Sequence, residues 1–291
     1  MTGARGQLSR SLVERAAGRP GIEMIAVGRP ELDLEVTGSV ERVVAEIAPE
    51  VIVNAAAYTA VDQAESEPER AFRVNAEAAG ELAFAARGID APIVAISTDY
   101  VFDGSAACPY DETASPNPLN VYGRSKLLGE EQVRLANPRH LILRASWIYS
   151  PFGQNFAKSM ISLAKDRDEL RVIDDQRGAP TSALDLAEGI LVALDRWRAD
   201  GLESLVGTYH LAGGEVTSWY GFAAGIMDEC RKRNLPSAEV RPIATSEWPA
   251  KAARPANSML DSRKFKRDFG YSARPWKPSL AEMFARLVSP E

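Results

Sequence analysis

The sequence predicts an α/β protein built on a doubly wound parallel sheet, with a smaller C-terminal portion. Two observations predict this class. Helical and strand patterns alternate through the first half of the 291-residue chain, which is typical of a parallel sheet covered on both faces. The strand-like runs are short, apolar and rich in β-branched residues, as strands buried on both faces are. We expect residues 1–150 to form one domain and residues 151–291 a second portion, some of whose helices pack back on the sheet.

The individual elements follow from periodicity. Apolar residues at i, i+3, i+4 and i+7 predict an amphipathic helix at residues 40–47, with Thr37 and Ser39 as candidate caps and Pro49 just beyond its end. The same reasoning predicts strands at residues 22–27, 51–53, 93–96 and 141–149, and helices at residues 68–87, 122–135, 155–167 and 184–197. Ligands of open α/β sheets bind at the carboxyl ends of the strands, so we expect functional residues there.

Composition argues against several classes of function. The formal net charge is −6 and basic residues are dispersed among acidic ones, which disfavours binding of nucleic acid or anionic membranes. Cys108 and Cys230 are too few for a disulfide framework and lack metal-ligand spacing. No run approaches the roughly 20 apolar residues of a membrane span. A reducing cytoplasm is the expected location.

The start of the chain is typical of the glycine-rich turn that opens a dinucleotide-binding helix. Gly3 permits a tight turn and Gly6 lets the backbone approach a pyrophosphate, while the helix N-terminus supplies N–H donors. Ser9 stands where a third glycine is usual, and its small side chain should cost little. Such a turn normally follows a strand of about five residues, but only Met1 and Thr2 precede it. We therefore expect a truncated first strand and a natural product that begins several residues upstream.

The end of the predicted strand at residues 22–27 bears on the choice of cofactor. A carboxylate there would bind the ribose 2′-hydroxyl and repel a 2′-phosphate. Gly28 and Arg29 occupy this place instead, which favours NADPH, with NADH as the alternative. An Arg29 that merely faces solvent is the other interpretation. Asp33 and Leu34 are expected near the adenine.

Tyr122 and Lys126 are the most informative pair in the chain. Residues four apart project from one face of a helix, and these two follow a strand that ends in Ser97-Thr98-Asp99. A free tyrosine titrates near pH ~10, and a lysine cation within several ångströms should lower that pKa. An isolated pair of this kind is usually a surface tyrosine and a solvated lysine. Here the strand-end Thr98 adds a hydroxyl, which predicts a proton-relay site that interconverts a carbonyl and an alcohol.

Several segments together resemble one family. They are the glycine turn, NAAAYTAVDQAESEP, STDYVFDG, NPLNVYGRSKLLGE, RASWIY, NFAKSM, DDQRGAPTSA, YHLAGG, TSWYGFA and ARPANS. With these, the chain is similar over nearly its whole length to the dTDP-4-dehydrorhamnose reductases of the extended short-chain dehydrogenase/reductase family. The resemblance implies a Rossmann-like oxidoreductase of dTDP-rhamnose and polysaccharide biosynthesis. Its expected reaction is NADPH-dependent reduction of the 4-keto group of dTDP-4-dehydro-β-L-rhamnose to dTDP-β-L-rhamnose.

The resemblance also implies roles for individual residues. Tyr122 would protonate the C4 oxygen, Lys126 would lower the tyrosine pKa and hold the nicotinamide ribose, and Thr98 would orient the keto oxygen. The residues expected along the cofactor, from pyrophosphate to adenosine to nicotinamide, are Gly6, Gln7, Leu8, Asp33, Leu34, Ala57, Tyr58 and Thr59. Those expected at the substrate are Thr98, Asp99, Trp147, Asn155 and Arg254. For Asn155 and Arg254, proposed at the diphosphate, ordinary hydrogen bonding between the two portions is the alternative.

Partners and competing functions stay open at this point. The family is associated with Mg²⁺, partly through a subunit interface, so Mg²⁺ and a homodimer are expectations without an assigned ligand. One alternative function is another nucleotide-sugar reductase, epimerase or dehydratase. Tyr100 stands where related dehydratases carry a glutamate base, which disfavours the dehydratase. The other alternative is a non-catalytic NADP-binding regulatory subunit like the β subunit of methionine adenosyltransferase.

Overall fold

The computed structural model describes residues 1–201 and 205–288. Its α-helices are α1 (Gln7–Ala16), α2 (Ser39–Ile47), α3 (Val61–Ala64), α4 (Pro68–Phe72), α5 (Ala78–Gly88), α6 (Val121–Ala136), α7 (Phe156–Leu163), α8 (Ala183–Asp200), α9 (Trp219–Lys232), α10 (Arg263–Phe269) and α11 (Trp276–Val288). Its strands are β1 (Ile52–Asn54), β2 (Ile93–Thr98), β3 (His140–Ala145), β4 (Ile148–Tyr149), β5 (Glu169–Ile173), β6 (Arg177–Gly178), β7 (Thr181–Ser182), β8 (Gly207–His210), β9 (Thr217–Ser218) and β10 (Glu239–Ile243).

A parallel sheet in the order β1-β2-β3-β8 forms the centre of the molecule. Successive side chains of a strand point to opposite faces, and both faces are covered. Leu141 and Leu143 pack with Leu12 of α1 and Ile190 of α8 on one face. Ile142, between them, packs on the other face in the cluster that holds the apolar residues of α2 and α5. Burial on both faces explains why these strands read as unbroken apolar runs, and the predicted doubly wound α/β class is confirmed.

The first residues of the chain lie beside β1, where a central strand would lie. The Thr2 N–H donates to the Val53 carbonyl (3.0 Å), and the Val27 N–H donates to the Met1 carbonyl (2.9 Å). Thr2 and Val27 make a single parallel bridge. The predicted strand at residues 22–27 is therefore wrong apart from this bridge: Met1 hydrogen-bonds to Ile25 and Val27, and the Ala4 N–H donates to the Val27 carbonyl (3.1 Å), but no ladder forms.

Most predicted helices are confirmed, with changed ends. The helix at residues 68–87 is helical from Pro68 to Gly88 but contains a π-helical turn at Arg73–Glu77. The predicted caps of α2 are wrong: its N-cap is Gly38, with φ +80°, and no side chain caps it. The helix predicted to run to residue 167 ends at Leu163.

The strand predicted at residues 141–149 is broken in two. Trp147 has a positive φ of +48°, a conformation that bends the chain out of an extended path. As a result β3 ends at Ala145, and the next two residues in extended conformation, β4, pair with β7 rather than with the central sheet.

The chain after residue 150 is only partly separate from the main sheet. It contributes α8, which packs against α1, and β8, which completes the sheet. The remainder has its own apolar core, which includes Phe222 of α9, Leu170 of β5 and Phe284 of α11. Residues 202–204 and 289–291 of the predicted 151–291 portion lie outside the described residues. Among the described helices, none combines the length and apolar character needed to cross a bilayer.

Candidate active site

Helix α6 is fixed at the carboxyl end of β2 by its first turn. Asn120 caps the helix, since its Oδ1 accepts a hydrogen bond from the Gly123 N–H (2.7 Å). Gly123 allows close contact with the chain that leaves β2: a Cβ at this position would lie 2.2 Å from the Tyr100 carbonyl oxygen. Glu65 accepts from the Val121 N–H (2.7 Å). These contacts fix the first turn of α6, which carries Tyr122.

The structure brings Tyr122, Lys126 and Thr98 together, as the spacing predicts. Tyr122 and Lys126 lie on successive turns of α6, and Thr98 is the last residue of β2. The Lys126 Nζ donates to the Ile96 carbonyl (2.7 Å). Thr98 is buried, donates through Oγ1 to Asp99 Oδ1 (3.0 Å), and lies close enough to the phenol of Tyr122 to lower its pKa. A phenol and a hydroxyl therefore lie side by side at the end of β2, and an ammonium one helical turn further along α6 binds the same strand at Ile96.

The expected lowering of the tyrosine pKa is not found. Burial raises the pKa of Tyr122 to about 12, hydrogen bonding with Thr98 opposes this rise, and the charge of Asp99 adds to it. Lys126 binds the Ile96 carbonyl instead of the phenol, and burial lowers its own pKa to about 8. The phenol is consequently protonated at neutral pH. A protonated phenol suits an acid that donates a proton, which is the requirement when a ketone is reduced.

Asp99 is a buried carboxyl group beside this pair. It is 3% exposed, and its Oδ2 is buried without a hydrogen-bond partner among the described residues. Burial raises the pKa of Asp99 to about 6, while the neighbouring Ser258 and Thr98 side chains oppose the rise. An orphaned polar atom is costly in a protein interior. Its position next to Thr98 makes Asp99 suited to accept a hydroxyl of a bound sugar.

The glycine turn has the shape that a dinucleotide pyrophosphate requires. Gly3 has φ +77°, and a Cβ there would lie 3.2 Å from Ala56 Cα. Gly6 precedes α1 as its N-cap, so the first N–H groups of the helix are free of intrahelical partners. Ser9 is fully buried and donates to the Thr2 carbonyl (2.9 Å), which shows how serine fits in the place of the third glycine. The residues present fit a dinucleotide cofactor.

Gln7 and Leu8 have different relations to this turn. The Leu8 side chain is buried in the core between α1 and the sheet, so only its backbone can face a cofactor. The Gln7 Oε1 accepts from Ser150 Oγ (2.9 Å) and from Asn155 Nδ2 (3.0 Å). Asn155 also caps α7, since its Oδ1 accepts from the Lys158 N–H (3.1 Å). The hydrogen bonds of Asn155 therefore match the alternative interpretation, a contact between the two portions of the chain.

The predicted adenosine end of the site is rich in charge. Arg29 is 68% exposed, with its guanidinium 3.8 Å from Glu35. Glu35 also binds Arg70 (2.8 Å). Asp33 Oδ1 accepts from the Glu35 N–H (3.0 Å), and Leu34 is buried in the core under α2. Arg29 is thus the side chain available to an added phosphate, while Asp33 and Leu34 shape the turn beside it.

The loop that holds Ala57, Tyr58 and Thr59 is fixed by a residue that sequence reasoning missed. Asn75, in the π-helical turn, accepts from the Tyr58 N–H (2.8 Å) and donates to the Tyr58 carbonyl (3.1 Å) and to Ser125 Oγ (3.0 Å). It therefore joins this loop to α6. A π-helical turn inside a longer helix is often found at functional sites, but nothing in the sequence around Asn75 indicates it.

Two aromatic rings form one wall of the predicted sugar site. Trp147 stacks on Trp219 with 3.6 Å between ring centroids and 9° between planes. Gly178 lies against the same ring, since a Cβ there would be 2.5 Å from Trp147 Cε2. One face of Trp147 is therefore covered by Trp219. The position of Trp219 was not predicted, because the two residues are distant in sequence.

Arg254 is engaged by an acidic residue from the first half of the chain. Its guanidinium binds Asp62 through two parallel hydrogen bonds of 3.1 and 2.7 Å. Tyr100 also hydrogen-bonds to Arg254, and its ring lies edge-on to that of Tyr122 (5.7 Å). A substrate diphosphate at this place would have to compete with Asp62 for the guanidinium.

The described residues offer no site that fits the expected Mg²⁺. Nowhere among them do three side chains of His, Cys, Asp or Glu lie together so that they could hold a metal ion.

Known proteins resemble this chain in sequence and in structure. The family model described as RmlD substrate binding domain matches residues 1–289. The dTDP-4-dehydrorhamnose reductase of Sinorhizobium fredii is 44% identical over 291 residues, which cover 99% of this chain and 97% of the relative. The enzyme of the same name from Salmonella typhimurium is 46% identical over 255 residues, or 84% of this chain and 83% of the relative.

Solved structures agree with these relatives. A dTDP-4-dehydrorhamnose reductase from Clostridium acetobutylicum has a TM-score of 0.92 and 38% identity, and covers 99% of this chain and 98% of its own. One from Bacillus anthracis, in complex with NADP, has a TM-score of 0.90 and 37% identity, over 98% and 97% of the two chains. A dTDP-glucose 4,6-dehydratase from Streptomyces venezuelae is 19% identical over 98% of this chain and 94% of its own, with a TM-score of 0.79, and shares the fold alone. On the match that spans residues 1–289, this chain belongs to the family described as RmlD substrate binding domain.

Proposed function

We propose that this chain catalyses the NADPH-dependent reduction of the 4-keto group of dTDP-4-dehydro-β-L-rhamnose to give dTDP-β-L-rhamnose, a precursor of polysaccharide, in the cytoplasm. The observation that carries the proposal is the position of the Tyr122 phenol beside Thr98 at the end of β2. It occurs in a chain that is 44% identical to a named reductase. The fold-level similarity to a dehydratase adds no support for that alternative, since Tyr100 is not a carboxylate base.

Separate parts of the chain bind the pyrophosphate and the adenosine end of the cofactor. Gly3 and Gly6 bring the backbone close to the pyrophosphate, and the N-terminus of α1 offers it N–H donors. Arg29, exposed at the adenosine end, binds the 2′-phosphate, which favours NADPH over NADH. The NADP complex of the Bacillus anthracis relative supports this choice. When bound, NADPH supplies the hydride that reduces the C4 carbon.

Tyr122 supplies the proton to the C4 oxygen. Its raised pKa keeps the phenol protonated before the reaction, and the phenol lies beside Thr98 at the end of β2. Thr98 orients the keto oxygen. The Lys126 ammonium, one turn behind Tyr122, lowers the cost of the phenolate that proton donation leaves and holds the nicotinamide ribose. The reaction therefore begins with the protonated Tyr122 phenol and ends with its phenolate, whose negative charge the Lys126 ammonium offsets.

The substrate lies across the two portions of the chain. The unpartnered Oδ2 of Asp99 accepts a sugar hydroxyl, and Trp147 provides an apolar wall. Arg254 and Asn155 are retained as the residues nearest the diphosphate, with Arg254 exchanging Asp62 for phosphate oxygens. In this division residues 1–150 hold the cofactor and residues 151–291 mainly bind the substrate. A homodimer stays a prediction, which the molecular mass in solution tests.

The deciding experiment measures oxidation of NADPH when the keto-sugar is generated in situ. Tyr122→Phe should lower kcat by at least about 10²-fold, the smaller end of the usual effect of general acid catalysis, with NADPH affinity almost unchanged. Tyr209→Phe, which removes a phenolic hydroxyl from β8 that donates to Asp268, is the matched control and should keep its activity. Normal turnover by Tyr122→Phe would discard the role of the phenol. No oxidation by the wild type, together with co-purification of a synthetase, would favour the regulatory subunit.

A further inference from the structure

Helix α6 places a third titratable residue on the face that carries Tyr122 and Lys126. Glu130 follows Lys126 by four residues, so the three side chains lie on successive turns of one face. Glu130 is 3% exposed. An isolated carboxylate in such a place would be strongly disfavoured, so its partners decide whether it carries a charge.

The partners of Glu130 keep it ionised. Arg144 of β3, itself 3% exposed, donates Nε to Oε1 (2.8 Å) and Nη2 to Oε2 (2.7 Å). Ser97 Oγ donates to Oε1 (2.5 Å), and Arg134 Nη2 donates to Oε2 (2.6 Å). Burial works against the charged form, but the hydrogen bonds and charge of Arg144 outweigh it and hold the pKa of Glu130 below its ordinary value. Glu130 is therefore a buried anion directly behind Lys126.

Lys126 depends on that anion. Its side chain is almost fully buried, and burial lowers its pKa to about 8 while the charge of Glu130 raises it. Other titratable or charged groups lie on the elements packed around Lys126, on α6 itself, after β2, on β3 and on β8: Tyr122, Arg134, Asp99, Arg144 and His210. His210 is buried and its pKa is lowered to about 4, so it is neutral near pH 7.

The same carboxylate also fixes the geometry of the site. Two consecutive residues of β2 are tied to α6: the Ile96 carbonyl accepts from Lys126, and Ser97 donates to Glu130. Thr98 follows immediately and contacts Tyr122. The contact between Ser97 and Glu130 therefore sets how α6 lies along β2 at the point where the proton is transferred.

We propose that Glu130 is a positioning residue for the reduction: its buried carboxylate, held by Arg144 and Ser97, keeps the Lys126 side chain charged and directed at the end of β2. Glu130 acts through Lys126 and touches neither substrate nor cofactor. The inference rests on the proposed function for its catalytic meaning, but the charge state of Lys126 is measurable without turnover.

Glu130→Gln isolates the charge, because the amide has almost the shape of the carboxylate. Loss of a nearby opposite charge lowers the pKa of a lysine by about one pH unit or more. The folded protein would then lose the Lys126 ammonium at a lower pH as the pH rises. The decline of kcat on the alkaline side should move to lower pH by the same amount.

The direct measurement is the pH titration of the Lys126 side chain by NMR of the full chain labelled in lysine, with the signal assigned from Lys126→Met. Glu130→Gln should lower the Lys126 pKa by about one unit, Glu130→Asp should restore at least half of the difference, and Glu131→Gln, an exposed neighbour on α6, should leave it unchanged. If Glu130→Gln leaves the pKa of Lys126 where it is in the wild type, the proposal is wrong.

A second variant covers the case in which Glu130→Gln does not fold because Arg144 is left unpaired. Glu130→Gln combined with Arg144→Met removes both buried charges, an exchange that proteins often tolerate, and should also lower the Lys126 pKa. An unchanged pKa in this double variant overturns the proposal as well. If the lysine titrates as expected but the wild type does not reduce the keto-sugar, the proposed function fails and the link between Glu130 and Lys126 stands.

Discussion

Asp99 is expected to cost the folded protein stability at neutral pH, and Asp99→Asn measures that cost. The side chain is buried, Thr98 donates to its Oδ1 (3.0 Å), and Oδ2 has no partner among the described residues. Burial raises its pKa from 3.8 to about 6. The folded state therefore disfavours the ionised carboxylate more than the unfolded state does.

The magnitude follows from that difference. A difference of about two pH units between the two states corresponds to about 3 kcal/mol of stability at neutral pH. Because folding raises the pKa of this carboxyl group, its ionisation makes the folded protein less stable as the pH rises. Below pH about 3.8 the group is protonated in both states and costs nothing, and the cost grows as the pH rises through about 6. Above that window it is constant.

The assay is urea unfolding of the wild type and of Asp99→Asn between pH about 4 and 7.5. Asparagine leaves one buried amide N–H without a partner, but this cost does not depend on pH. The stability of the variant relative to the wild type should therefore rise by about 2–3 kcal/mol across the window. Asp166→Asn, at an exposed position after α7, should show a flat difference. A flat difference for Asp99→Asn would refute the reasoning.

Two further substitutions test the packing of the site and the choice of cofactor. Gly129→Ala should destabilise the fold by about 1–3 kcal/mol, because its Cβ would lie 2.1 Å from the Asn75 carbonyl oxygen. Gly88→Ala, in open space, is the control, and equal unfolding midpoints would contradict the close contact. Arg29→Ala should lower the ratio of kcat/KM for NADPH to that for NADH by about tenfold, the loss of one charge-assisted hydrogen bond. Arg42 is a surface residue paired with Glu46, and Arg42→Ala is the control that should leave this ratio unchanged. An unchanged ratio in Arg29→Ala would show that Arg29 makes no phosphate contact.

The parts of the site that local patterns encode could be predicted from the sequence. Thr98 ends a β-branched run, and Tyr122 and Lys126 are four residues apart on one helix, so their meeting follows from strand and helix geometry. The same spacing also indicates a third residue of the site. Glu130 continues the same four-residue spacing, and a glutamate on an inward helix face needs a buried cation.

The parts that depend on contacts between distant residues could not be predicted. Arg254 meets Asp62 across 192 positions of sequence, and no local pattern pairs them. The pKa of Tyr122 depends on burial first and on Thr98 and Asp99 after it, so the sign of its change needed the packed structure. The capping role of Asn155, by contrast, could have been predicted, since an asparagine directly before a helical run is a common N-cap.

The side chain of Gln7 joins the two ends of the cleft. It follows the glycine turn directly, yet its carbonyl oxygen is held by Ser150 and by Asn155 from the segment that precedes α7. A shift of that segment when the sugar arrives would pull on the turn, and displacement of the turn would loosen the segment. We therefore expect binding at the turn and binding at that segment to influence each other through this one amide.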